Sequence, residues 1–153
     1  MNKLLMTLLS GMLITFIVDF FLFLGMKINY LEKNGIDIFY NVFFADNQNF
    51  ILFFIFSFIF GSIVIYVANK TLTTIMVVLL SLFAASALVP DIGNSYAKMI
   101  FMKQNQSFNS KRHHFYGDVY YEGRGVIYFY DNELKRIIKL KEEELVRWKY
   151  QVW

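Results

Sequence analysis

Asp19 is the residue whose type and setting most strongly indicate chemistry in this sequence. It interrupts an apolar run, residues 4–26, that carries no other charge. An unpaired carboxylate in hydrocarbon costs at least about 2.5 kcal/mol, so something must compensate it. The apolar runs 4–26, 50–67 and 72–89 contain no Lys or Arg. Asp19 is therefore either an ion or proton site or a neutral group that hydrogen-bonds and fixes helix packing.

The neighbours of Asp19 favour the packing role. Gly11, Thr15 and Asp19 are four residues apart, which places them on one face of a helix. Small and polar residues at this spacing are typical of a face on which another membrane helix packs closely. At a matching depth, the other two apolar runs carry Ser57 and Ser81. Three kinds of partner would therefore compensate Asp19: a hydrogen bond from one of these hydroxyls to the protonated carboxyl, a water-filled cavity, or a basic residue of another chain.

A second group of residues could bind lipid headgroups. Basic side chains that follow the apolar runs are predicted to lie at the membrane surface: Lys98, Lys103, Lys111 and Arg112. His113 and His114 suggest a metal site only weakly, because consecutive side chains of a strand point to opposite faces. We interpret them as part of a basic stop beside the membrane and expect no bound metal.

Catalysis is not indicated by any motif in the chain. There is no phosphate-binding loop, dinucleotide fingerprint, His-Glu-x-x-His pattern or nucleophile elbow. The absence of Cys excludes disulfides and thiolate chemistry. The acidic run Glu142–Glu144 fits a solvated turn better than a catalytic pair. We expect neither enzymatic activity nor a cofactor.

The elements that must position these residues are membrane helices. Apolar residues make up 57% of the 153 residues, and the mean hydropathy is +0.43, more than a soluble domain of this size normally carries. The three apolar runs predict transmembrane helices at 4–26, 50–67 and 72–89 within a membrane region spanning 1–93. The short polar link between the last two predicts a tight helical hairpin.

The segment between the first two spans has two interpretations. Asn34-Gly35 indicates a turn, and apolar residues then recur at helical spacing from Ile36 to Phe43. This pattern fits a short helix, residues 36–45, lying in the membrane interface. A loop folded against the ends of the spans fits equally well.

The last sixty residues change character. Residues 94–112 predict a connector, and 113–153 predict a small extramembrane domain with an antiparallel β-meander of four strands. The strands are predicted at 115–121, 126–130, 134–140 and 146–152, with a helix after Glu142 as the alternative for the last.

Phe115, Val119 and Tyr121 are expected on one face of the first strand and Tyr116 and Tyr120 on the other. We expect Tyr116, Tyr120 and Trp148 to face a partner. Single-stranded nucleic acid is disfavoured because acids largely offset the basic charge.

Location and function follow from this architecture only in general terms. Lys and Arg accumulate on the side that carries the tail, which predicts a cytoplasmic tail. We expect a multi-pass protein of a bacterial inner membrane whose partners are the lipid bilayer and other membrane subunits, or further copies of itself. The preferred function is a noncatalytic accessory or scaffold subunit of a membrane protein complex. The alternative is a small channel or transporter component that uses Asp19.

Overall fold

The computed structural model describes residues 2–110 and 113–147. Within these residues, helices come first and a sheet follows. The helices are α1 (Lys3–Met26), α2 (Tyr40–Asn47), α3 (Phe50–Tyr66), α4 (Lys70–Ser86) and α5 (Pro90–Phe101). The strands are β1 (Lys103–Asn109), β2 (His114–Gly123), β3 (Val126–Asp131), β4 (Arg136–Lys141) and the two-residue β5 (Val146–Arg147). A π-helical turn and a 3-10 turn extend α1 as far as Asn34.

Asparagine begins three of the helices. The side chain of Asn2 accepts a hydrogen bond from the backbone N–H of Leu4 at the start of α1. Asn49 and Asn69 cap α3 and α4 in the same way. Such caps satisfy backbone donors that have no partner within the helix. Pro90 begins α5, where its missing N–H costs nothing.

One described helix is long and apolar enough to cross a membrane, the 32-residue helix Lys3–Asn34. The number rises to three if each of two bent helix pairs forms one span: α2 with α3, bent by 85°, and α4 with α5, bent by 83°. Alone, α3 and α4 have 17 residues each, about 25 Å at 1.5 Å per residue. Helices followed by an antiparallel sheet are therefore confirmed, and the three membrane crossings stay a prediction.

The helices pack around α1 and not as the predicted hairpin. α3 runs along α1 over most of its length, α4 contacts α1 less closely, and the backbones of α3 and α4 hardly approach each other. The hairpin prediction is wrong because the small residues of α3, Ser57 and Gly61, face α1. A 340 Å³ apolar cleft lies between α3 and α4, lined by residues that include Phe60 and Met76.

The segment that follows the extended α1, residues 35–47, packs against the sheet through Ile36 and Phe43. Gly35 has a φ of +69°, which confirms the predicted turn. Helix α2 begins at Tyr40, later than the predicted start at residue 36. Ile36 and Phe43 are fully buried, whereas Phe39 is 79% exposed. The residues of the predicted apolar stripe therefore do not share one environment: Ile36 and Phe43 face protein, whereas Phe39 is exposed.

The sheet is antiparallel with the strand order β4-β3-β2-β1-β5. Phe108, Val119, Ile127 and Phe129 form the core on one face. The register between β2 and β3 shifts between Val119 and Tyr121. This β-bulge reverses the alternation of side chains, so Tyr121 packs against the helices together with Tyr120. The prediction that Tyr121 shares the face of Val119 is therefore wrong.

Two predicted boundaries of the tail also change. Residues 94–112, predicted as a connector, contain most of α5 and all of β1. β1 has a polar sequence with one inward residue, Phe108, which is 2% exposed. The predicted fourth strand, 146–152, begins as β5 but pairs with β1 at the opposite edge from β4. Residues 148–152 of that prediction lie outside the described part of the chain.

Candidate functional site

Small residues bring the backbones of α1 and α3 into contact. A Cβ atom on Gly11 would lie 1.6 Å from the carbonyl oxygen of Ser57, and one on Gly61 would lie 1.8 Å from that of Thr7. Thr15, one turn beyond Gly11, is also buried. The structure therefore brings Gly11, Thr15 and Ser57 together in one interface. Close approach through small residues is the usual way in which membrane helices associate.

Asp19 has a partner that the sequence did not indicate. The side-chain amide Nε2 of Gln48 donates a hydrogen bond of 2.9 Å to Oδ2 of Asp19. The hydroxyls of Ser57 and Ser81 donate instead to the carbonyl four residues earlier in their own helices, at 2.7 and 2.9 Å. The predicted bond from either serine to Asp19 is wrong, because this local carbonyl is always within reach of a helical serine.

Asp19 lies beside the corner where α2 meets α3. Gln48 is in that corner, between Asn47 at the end of α2 and the cap Asn49. Two buried polar atoms near Asp19 have no hydrogen-bond partner among the described residues: Oγ1 of Thr15 and Oε1 of Gln48. Asp19 thus belongs to a small polar group at the end of the α1–α3 contact.

Beyond Asp19, α1 enters a core made of large side chains. This junction cluster joins α1, α2, α5 and β2, and its buried members are Met26, Tyr30, Leu31, Ile36, Phe43, Ala97 and Tyr121. The ring of Phe43 lies 5.3 Å from that of Phe101 and 5.8 Å from that of Tyr121. Leu22 and Phe23, which follow Asp19, are partly buried and also pack against this cluster.

Polar bonds fix the same junction. The hydroxyl of Tyr30 donates to the carbonyl of Tyr120 at 3.0 Å, and the two rings stack 5.8 Å apart. The amide of Asn29 donates to the carbonyls of Ala87 and Leu88 at the end of α4, at 2.9 and 3.1 Å. These bonds join the extension of α1 to both the sheet and α4. The sheet domain is thus held against the helices and not connected by a free linker.

An ion pair adds a second attachment of the sheet. Arg124, in the turn between β2 and β3, donates from Nε and Nη2 to the two carboxylate oxygens of Asp46 on α2, at 2.8 and 3.0 Å. This hydrogen-bonded pairing raises the pKa of Arg124. The arginine is solvent-exposed, so the pair mainly defines orientation. The sequence offered no signal for this contact, because its partners are far apart along the chain.

The face of the sheet that carries Tyr120, Tyr128 and Tyr130 forms a groove of 760 Å³. Its lining combines aromatic, apolar and basic side chains, chiefly Tyr120, Tyr128, Tyr130, Ile137, Lys139 and Lys33. We call it the Tyr–Lys groove. The ammonium of Lys139 lies 5.8 Å from the centre of the Tyr128 ring. The combination suits an anionic or amphipathic ligand.

The remaining predicted site residues are dispersed. Lys98 is exposed on α5, and Lys103 forms a 2.9 Å ion pair with Glu122. Tyr116 is 49% exposed, and its hydroxyl donates to Oδ1 of Asn105 at 3.3 Å. Tyr120 stacks on Tyr30. Predicted residues outside the described part of the chain are Lys111, Arg112 and Trp148.

No protein-family model matches this chain, and searches among curated proteins and among solved structures give no match either.

Proposed function

We propose that this protein is a noncatalytic accessory or scaffold subunit of a bacterial-type membrane protein complex. It crosses the membrane three times, by α1, α3 and α4, and presents its sheet domain to a partner at the membrane surface. The observation that carries the proposal is the continuous helix Lys3–Asn34, which connects the helix bundle to the sheet. Buried Tyr30 near its end fixes the sheet by ring stacking and a hydrogen bond.

The distribution of exposed apolar residues supports the membrane crossing. Most of the outward-facing side chains of α3 are large and apolar, such as Phe50, Ile51 and Phe58, with exposures of 66, 73 and 51%. On a soluble protein a surface of this kind would promote aggregation. Lys27, Lys33, Lys98 and Lys103 lie on the side of the sheet, against Lys3 and Lys70 opposite. The excess favours a cytoplasmic sheet domain.

Copurification from gently solubilised membranes tests the scaffold. We expect the tagged full-length protein to elute with one or more other membrane proteins, and native mass measurement should give a heteromeric assembly. A homo-oligomer that contains no other protein would favour a pore, and a stable lone monomer would contradict both functions. A reporter fused after Trp153 should show a cytoplasmic location, whereas an external location would overturn the orientation.

A small channel or transporter component is the second candidate. Two buried oxygens have no described partner: Oγ1 of Thr15, one helical turn before Asp19, and Oε1 of Gln48, whose amide nitrogen donates to the Asp19 carboxylate. Oxygen atoms of this kind could coordinate a hard cation or relay a proton. Against it, Asp19 is the one acidic residue in α1, α3 and α4.

The substitution Asp19→Asn separates the two candidates. Asparagine keeps the size of the side chain and an oxygen that can accept from Gln48. If Asp19 serves packing, the variant should assemble with the same partners and retain cellular function. Ser81→Ala, which removes an exposed hydroxyl on α4, is the matched control. Complete loss of function in a correctly assembled Asp19→Asn protein would favour ion or proton chemistry.

A further inference from the structure

We propose that the outer edge of β4, together with the Tyr–Lys groove beside it, binds an extended acidic segment of a partner protein as an added β-strand. β4 (Arg136–Lys141) is the last strand at its end of the sheet and pairs only with β3 among the described strands. An edge of this kind offers backbone N–H and C=O groups to another chain. This inference rests on the proposed scaffold function and assigns its contact surface.

The alternation of β4 gives the added strand two different neighbours. Lys139 pairs with Tyr128 and Ile137 pairs with Tyr130 across β3, so both lie on the groove face. Ile138 and Leu140 lie on the opposite face, half-buried at the margin of the sheet core. A strand beside β4 would therefore place alternate side chains over the basic groove and over an apolar margin. Glutamate alternating with valine matches both.

The charges on β4 and in the groove favour an acidic segment as the added strand. β4 carries three cations in six residues: Lys139 and Lys141 alternate onto the same face as Ile137, whereas Arg136 shares the face of Ile138 and Leu140. Lys33 lies across the groove. Lys141 is only loosely paired, 3.9 Å from Glu143. A second copy of this chain paired edge to edge would oppose these cations to one another, which is destabilising. An acidic partner would neutralise them. Asp37, also in the groove lining, is the one unfavourable charge there.

Fluorescence anisotropy with the full-length protein in neutral detergent tests the inference. The probe is a short fluorescein-labelled peptide in which glutamate alternates with valine. We expect saturable binding that Lys139→Glu weakens by at least about tenfold, because like charges at an interface cost several kcal/mol. Lys98→Glu makes the same charge change on α5 and should leave binding unaltered. Asp37→Asn should strengthen binding.

Two further peptides decide between strand addition and general charge attraction. A peptide N-methylated at alternate residues cannot donate its hydrogen bonds to β4 and should bind at least about tenfold more weakly. A peptide with lysine in place of glutamate should prefer the Lys139→Glu protein. Equal binding of the methylated peptide, an equal effect of Lys98→Glu, or no binding at all would overturn the inference. If copurification still yields a heteromeric assembly, the scaffold function survives and uses another surface.

Discussion

The two halves of α1 associate with their neighbours by different means. Before Asp19, α1 buries the small residues Thr7, Gly11 and Thr15, and at Gly11 and Gly61 its backbone is too close to that of α3 for a side chain to fit between them. After Asp19, α1 contributes Met26, Tyr30 and Leu31 to a core of large apolar side chains. One helix therefore contains two kinds of interface that meet at a single carboxylate.

The difference reflects the proposed solvents of the two halves. Lipid chains are as apolar as leucine, so helices within them gain little by burying large side chains and rely on close backbone packing. At the membrane surface water is present, and burial of large apolar groups becomes the main source of stability. The comparison teaches that hydropathy alone cannot distinguish residues that face lipid from residues that form such a junction.

Removal of a large ring from the junction cluster should have the greatest effect. Phe43→Ala leaves a cavity among Phe101, Tyr121 and α1, and we expect a loss of about 3–5 kcal/mol. Circular dichroism during thermal unfolding in micelles would measure it, with proteolysis of the sheet domain as a second readout. Phe39→Ala, at a 79% exposed position nearby, should change stability by less than about 0.5 kcal/mol. Equal effects would contradict the two-interface comparison.

Insertion of a side chain into the α1–α3 contact should come next. A Cβ on Gly11 would overlap the carbonyl oxygen of Ser57, so Gly11→Val must separate the helices at a cost of about 1–3 kcal/mol. The effect should concentrate in the helices and leave the sheet protected from hydrogen exchange. Leu13→Val, at a 63% exposed position of the same helix, is the control. Wild-type stability in Gly11→Val would show that the contact is not tight.

The sequence predicted the helices and the sheet more successfully than their contacts. Apolar runs are local signals, and they placed α1, α3 and α4. Strand-forming residues placed β2, β3 and β4. β1 was missed because its polar sequence contributes one core residue, Phe108, to the sheet. Its pairing depends on tertiary context that no local pattern records.

The polar partners were less predictable than the elements. Small-residue spacing correctly brought Gly11 and Thr15 to an interface, but the partner of Asp19 is Gln48, in a corner between two helices. The position of that corner depends on the 85° bend between α2 and α3. The bulge at Tyr120 likewise decided which tyrosines meet the helices. Both are consequences of packing and not of spacing along the chain.

A hydrogen-bonded junction contact should have an intermediate effect. Asn29→Ala removes both bonds to the end of α4 and leaves the carbonyls of Ala87 and Leu88 without this donor. We expect a loss of about 1–3 kcal/mol and faster hydrogen exchange at the start of α5. Asn94→Ala, which removes the same amide from α5, should be closer to neutral. If both variants behaved alike, the polar part of the junction would be of little consequence.

The smallest expected effect is a loss of stability at alkaline pH that arises in the junction cluster and not in the α1–α3 contact. Burial raises the pKa of Tyr121, an effect only partly offset by the hydrogen bond that its hydroxyl accepts from Asn47. An unfolded tyrosine titrates near pH 10, so the neutral native ring contributes stability below that pH. This contribution is lost as the pH rises toward the higher native pKa. Thermal unfolding measured from neutral to alkaline pH should therefore show a steeper loss in wild type than in Tyr121→Phe. An equal slope in wild type and in Tyr121→Phe would contradict the prediction.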